Sequence, residues 1–124
     1  MANSLFTTKG LLLDSDVSRN LKLIANDYGI TMNTLVAVLL DYIDNGYIPD
    51  EVKPPCSLEV CNRRFRRQKN YRVDNYVFTR LKRKAIEKRI PVNDLINWYF
   101  NCIINGEEPL ADMIFQYIEK NGEV

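Results

Sequence analysis

The chain aligns with itself. Residues 11–46 match residues 71–106 without a gap, every position displaced by 60. Identities include Asp14/Asp74, Val17/Val77, Leu21/Leu81, Ala25/Ala85, Ile30/Ile90, Asn33/Asn93, Leu35/Leu95 and the terminal Asn45-Gly46/Asn105-Gly106. A shared helical period would bring apolar positions into register. It would not also match the Asp, the Asn and the closing Asn-Gly, so the chain reads as one unit present twice.

Each copy has the same local grammar. A short extended run, Lys9–Leu13 or Lys69–Val73, leads to an Asp suited to N-cap the helix after it. The first helix shows Val17, Leu21, Ile24, Ala25 and Tyr28, or Val77, Leu81, Ala85 and the stem of Lys88, which is the stripe of an amphipathic helix. It stops at Tyr28-Gly29 in the first copy, where glycine takes a left-handed C-cap readily, and Arg89 stands at that place in the second. The second helix opens at Thr31 or Pro91 and carries Leu35, Val36, Leu39, Leu40 and Ile43, or Leu95, Ile96, Tyr99, Phe100 and Ile103.

One strand and two short helices cannot bury their apolar faces alone, and a lone strand leaves an unpaired edge. Two copies solve both problems. The expected fold is mostly α, with a short two-stranded antiparallel ribbon over four interlocked helices, so that two tandem repeats form an intramolecular pseudo-dimer. Residues 5–46 and 68–106 are the repeats, 47–67 the connector with Pro49, Pro54 and Pro55, and 107–124 an added C-terminal helix, all in a single domain of 124 residues. That last helix shows Leu110, Met113, Ile114, Tyr117 and Ile118 on one stripe and ends at Asn121-Gly122. It either packs on its own core or joins two molecules side by side.

A net charge of +1 hides segregation. Residues 1–50 carry three cations against six aspartates, whereas residues 63–89 carry twelve arginines and lysines against Asp74 and Glu87. Such a basic stripe is the footprint of a polyanion binder. The longest apolar run, Leu35–Leu40, is far short of a membrane span and no secretory leader is visible, so a soluble, cytoplasmic protein is expected, with no membrane partner. Without histidine, and with Cys56, Cys61 and Cys102 too few for a zinc site, neither metal nor cofactor is expected, and the cysteines read as reduced thiols. The chain shows no Gly-rich phosphate loop and no nucleophile beside a base, which argues against an enzyme.

The strand–helix–turn–helix grammar resembles the ribbon-helix-helix family, represented by the Arc and MetJ repressors. It rests on Leu11-Leu12-Leu13-Asp14 with Gly29–Val36, and on Tyr71-Arg72-Val73-Asp74 with Ile90–Ile96, covering about 70 to 80 of 124 residues. Two copies in one chain are similar to the TraY group of plasmid conjugation proteins. The resemblance implies double-stranded DNA as partner, with the ribbon in the major groove and its outward side chains on base edges. With Tyr71 and Val73 inward, strand alternation turns Gln68, Asn70 and Arg72 outward in the second copy and Thr8, Gly10 and Leu12 in the first. Gln and Asn suit adenine and Arg suits guanine, whereas the first strand offers no strong hydrogen-bonding fork, so either the site is read asymmetrically, which is the expectation preferred, or the first strand mainly supports the second.

The family also holds phosphates at the amino end of the second helix, which assigns that role to Thr31, Asn33, Thr34, Val92 and Asn93. Pro91, which has no donor, and the negative Asp94 fit it less well, and Arg63, Arg64, Arg66 and Arg67 are expected to compensate. The implied activity is a repressor or an accessory factor at the conjugative origin of a mobile element. A protein-interaction module, with the acidic first copy as docking face, is the competing reading.

Overall fold

The structure, a computed structural model, describes residues 6–47, 66–106 and 108–122. Strand β1 (Phe6–Asp14) is followed by helices α1 (Ser15–Tyr28) and α2 (Met32–Asp44), then strand β2 (Arg66–Asp74) and helices α3 (Asn75–Lys88), α4 (Val92–Asn105) and α5 (Leu110–Asn121). The described part is thus mostly helical, with one two-stranded antiparallel sheet. Both strands run longer than Lys9–Leu13 and Lys69–Val73, and β2 takes in Arg66 and Arg67 from the expected connector. Pairing extends from Phe6↔Asp74 to Asp14↔Arg66, with Gly10 opposite Asn70 at the centre.

Alternation along the ribbon sorts its two faces. Leu11, Leu13, Tyr71 and Val73 are buried against the helices. Below them α2 and α4 are buried almost all round, over Thr34–Leu40 with Ile43 and over Asp94–Phe100 with Ile103. That agrees with the unbroken apolar run Leu35–Leu40 in α2, whereas α4 buries Asp94 and Asn97 among its apolar residues. Helices α1 and α3 bury one stripe each, Val17, Leu21 and Ala25 in one and Val77, Phe78, Leu81 and Ala85 in the other. Tyr28 and Lys88, placed on those stripes by periodicity, are exposed. Helix α5 packs Met113, Ile114 and Tyr117 inward and touches α2, and Tyr42 of α2 donates its hydroxyl to Glu108 at 3.0 Å. Among the described residues no single helix is long and apolar enough to cross a membrane.

The first helix of each pair ends the same way. Gly29 (φ 66°) and Arg89 (φ 60°) both adopt the left-handed conformation, and the next amide, Ile30 or Ile90, donates back to Ala25 or Ala85 at 3.0 and 3.1 Å. A left-handed residue with a Cβ costs roughly 1 kcal/mol. Arg89→Gly is therefore expected to stabilise the fold by about 0.5–1 kcal/mol, read as a raised urea midpoint; a lowered midpoint would show that Arg89 contributes more than a turn.

The starts differ. Asp74 caps α3 as expected, accepting from the Tyr76 and Val77 amides at 2.8 and 3.2 Å. Asp14, the matching residue, makes no such bond, because its carboxylate accepts from Arg66 instead.

Candidate nucleic-acid interface

The outer face of the ribbon carries the six residues expected there, as three cross-strand pairs: Thr8 opposite Arg72, Gly10 opposite Asn70 and Leu12 opposite Gln68. Leu12 is half-buried, and the other five are exposed. The result is an uneven surface, with amides and a guanidinium on β2 facing a hydroxyl, a bare backbone and an aliphatic side chain on β1. The Arg72 guanidinium also lies 5.8 Å from the centre of the Phe6 ring, within cation–π range.

What holds this ribbon is a set of asparagines at the helix starts. Asn33 grips the Arg72 main chain twice, accepting from its N–H at 2.7 Å and donating to its carbonyl at 2.8 Å. On the other edge Asn93 accepts from the Leu12 N–H at 3.1 Å. Asn97 donates to the Leu12 carbonyl and accepts from the Asp14 N–H, both at 2.8 Å. A two-stranded ribbon has two open edges whose polar groups need partners. These bonds supply them at the two residues, Leu12 and Arg72, whose side chains lie on the outer face.

The side chains at the helix starts also have structural partners. Asn33 and Asn93 spend their carboxamides on the strand edges, so they serve as staples for the ribbon. Thr34 is fully buried, donating its amide to the Thr31 hydroxyl at 3.0 Å and accepting from that hydroxyl at 2.9 Å, so Thr31 acts as the N-cap of α2. Val92 is half-buried behind the exposed Pro91, which is the residue preceding α4. Periodicity cannot tell a helix start that awaits an anion from one that is already capped.

The arginines divide. Arg63 and Arg64 lie outside the described residues. Arg67 is exposed at the end of β2, on the alternation that also carries Lys69 and Tyr71. Arg66 is the correction: its side chain is only 5 % exposed and lies between two carboxylates, with Nε 2.6 Å from Asp14 and Nη1 2.6 Å from Asp94, whose own side chain is fully buried. Burial acts to lower the Arg66 pKa, and the bonds from Asp14 and Asp94 outweigh it and raise the pKa above its ordinary value. Arg66 is therefore a half-buried residue whose guanidinium is engaged by two carboxylates, and not a free surface cation. Arg80 is also engaged, forked onto Asp44 with both contacts at 2.7 Å, and that hydrogen bond raises its pKa. The other exposed cations here are Lys82, Arg83 and Lys88 on α3 and Arg89 just after it.

Sequence reasoning missed Asp94 and Asn97 as structural residues. The signal was available: both are polar positions in the buried face of α4, aligned with Thr34 and Ala37 of the first copy, where no equivalent polar group is present at Ala37. Among the described residues no group of three or more His, Cys, Asp or Glu is placed to hold a metal, and Cys102 is half-buried. Cys56 and Cys61 lie outside the described residues.

Comparisons with models of known protein families, with curated proteins and with solved structures find no match for the chain.

Proposed function

We infer that the chain is a tandem ribbon-helix-helix protein, a dimer fused into one polypeptide, that binds double-stranded DNA sequence-specifically through the outer face of its ribbon. The observation that carries this is that face: Gln68, Asn70 and Arg72 stand exposed in a row on β2, with their strand paired and stapled beneath them. Residues two apart on a strand are about 7 Å apart, so the row spans roughly 14 Å, about four base-pair steps. A two-stranded ribbon fits the major groove, about 12 Å wide. Amides there match adenine, and a guanidinium matches guanine.

The tandem reading is supported by several pairs of features spaced 60 residues apart. Gly10 pairs with Asn70, so a twofold axis through the middle of the ribbon would exchange the strands. The staples Asn33–Arg72 and Asn93–Leu12 are exchanged by the same operation, and residues 21–40 match residues 81–100 in burial position by position. Exposed cations on α3 and at Arg67 add the long-range attraction that a polyanion binder needs. The role that fits is a repressor, or an accessory factor bound at the conjugative origin of a mobile element.

Binding to duplex DNA is expected to weaken steeply with salt, with a log–log slope of about −0.9 per phosphate neutralised. Arg72→Ala is expected to cost roughly 1–3 kcal/mol on the preferred duplex and much less on unrelated DNA, measured by titration at fixed salt. Equal loss on every sequence would make Arg72 a phosphate contact. A flat salt response together with no preferred duplex would end the DNA reading and favour a protein-interaction module.

A further inference from the structure

The outer face of the ribbon has a notch at its centre, and the notch is filled from the other strand. A Cβ placed on Gly10 would lie 2.7 Å from Gln68 Nε2 and 3.2 Å from Asn70 Oδ1. Asn70 is the direct cross-strand partner of Gly10, whereas Gln68 stands opposite Leu12. The Gln68 side chain therefore leans diagonally over Gly10, a reach that cross-strand geometry allows a long side chain. The backbone does not require glycine here. Positive φ occurs at Gly29, Gly46 and Gly122 among the glycines, and not at Gly10. Glycine inside a strand is unfavourable in itself and often marks a close approach. At Gly10 the group that approaches is a pair of carboxamides.

Resting on the DNA-binding reading, we propose that Gly10 is a specificity-determining position. By lacking a side chain it lets Gln68 and Asn70 converge over the middle of the ribbon, where both amides are presented to one place in the groove. A carboxamide matches the N6 and N7 of adenine. The DNA site is accordingly asymmetric, with an A·T base pair facing the ribbon centre and read from β2 alone. Gly10 is a positioning residue: it touches no base and sets where Gln68 points. A methyl group at this position displaces the end of a flexible side chain rather than backbone, so the substitution acts on recognition and leaves the fold intact.

The test is selection from a randomised duplex pool with the full chain, followed by titration of the selected duplex. Four forms are compared: the unaltered chain, Gly10→Ala, Gln68→Ala and the double variant. The unaltered chain is expected to select an asymmetric site with an invariant A·T pair at its centre. Gly10→Ala is expected to bind that duplex roughly ten- to a hundredfold more weakly and to lose the preference at that pair, while its urea midpoint and its affinity for unrelated DNA stay unchanged. In the Gln68→Ala background Gly10→Ala is expected to add nothing. The proposal is overturned if Gly10→Ala keeps the base preference, or if the selected site is a palindrome. It is also overturned if the full penalty persists without Gln68, because the methyl group would then be blocking the groove directly. If the unaltered chain selects no sequence, the DNA reading itself fails and takes this proposal with it; a selected site indifferent to Gly10→Ala removes the proposal alone.

Discussion

Residues 1–55 expressed without the rest of the chain are expected to give no cooperatively folding monomer. The reason is where the partners of each element come from. Strand β1 pairs along its whole length with β2, and its free edge at Leu12 is satisfied by Asn93 and Asn97 of α4. In the other direction, Asn33 of α2 holds β2. A first half alone would carry an unpaired strand and the Leu35–Leu40 face of α2 with only α1 to cover it. Such a unit is below the size at which a single core outweighs chain entropy. Circular dichroism during urea unfolding, at concentrations where sedimentation shows a monomer, measures this directly. A sigmoidal transition from the monomeric half would refute the interlocked arrangement. Adding residues 66–124 in trans is expected to restore the transition.

Arg66→Ala is expected to cost about 3–5 kcal/mol, the range found when one partner of a buried ion pair is removed. Against a total stability of roughly 5–15 kcal/mol this is a large fraction, and it corresponds to a fall in Tm of roughly 10–20 °C. The effect follows from Asp94, whose side chain is fully buried and would lose the guanidinium that lies 2.6 Å away. The equivalent end of the ribbon shows how the site can be filled without charge, since Phe6 stands in the place of Arg66 and Thr34 in the place of Asp94. The double change Arg66→Phe with Asp94→Thr is therefore expected to recover most of the loss, because a buried ion pair exchanged for packed groups is often near neutral. If Arg66→Ala alone costs less than about 1 kcal/mol, the pair is behaving as a solvated surface bridge.

Much of the architecture was legible before any coordinates. Period-2 alternation placed Leu11, Leu13, Tyr71 and Val73 inward, and the structure buries all four. The turn at Gly29 was plain, and Arg89 turned out to take the same left-handed geometry with a Cβ in place. Element ends were less legible, because Arg66 and Arg67 read as a basic connector and not as strand.

What the sequence by itself determined is therefore the kind and order of the elements, and the strand faces turned to the core. These depend on local periodicity and on the need to bury apolar area, and both are written along the chain. What the tertiary structure decided is which polar groups are already engaged. Asn33 and Asn93 sit at helix starts where an anion would also bind, and the strand edges reach them first. Arg66 looks like its neighbours in a basic run, but its carboxylate partners come from 52 residues before it and 28 after it. A side chain's charge and hydrogen-bonding capacity are local properties, whereas the partner that uses them is set by the packing of distant elements.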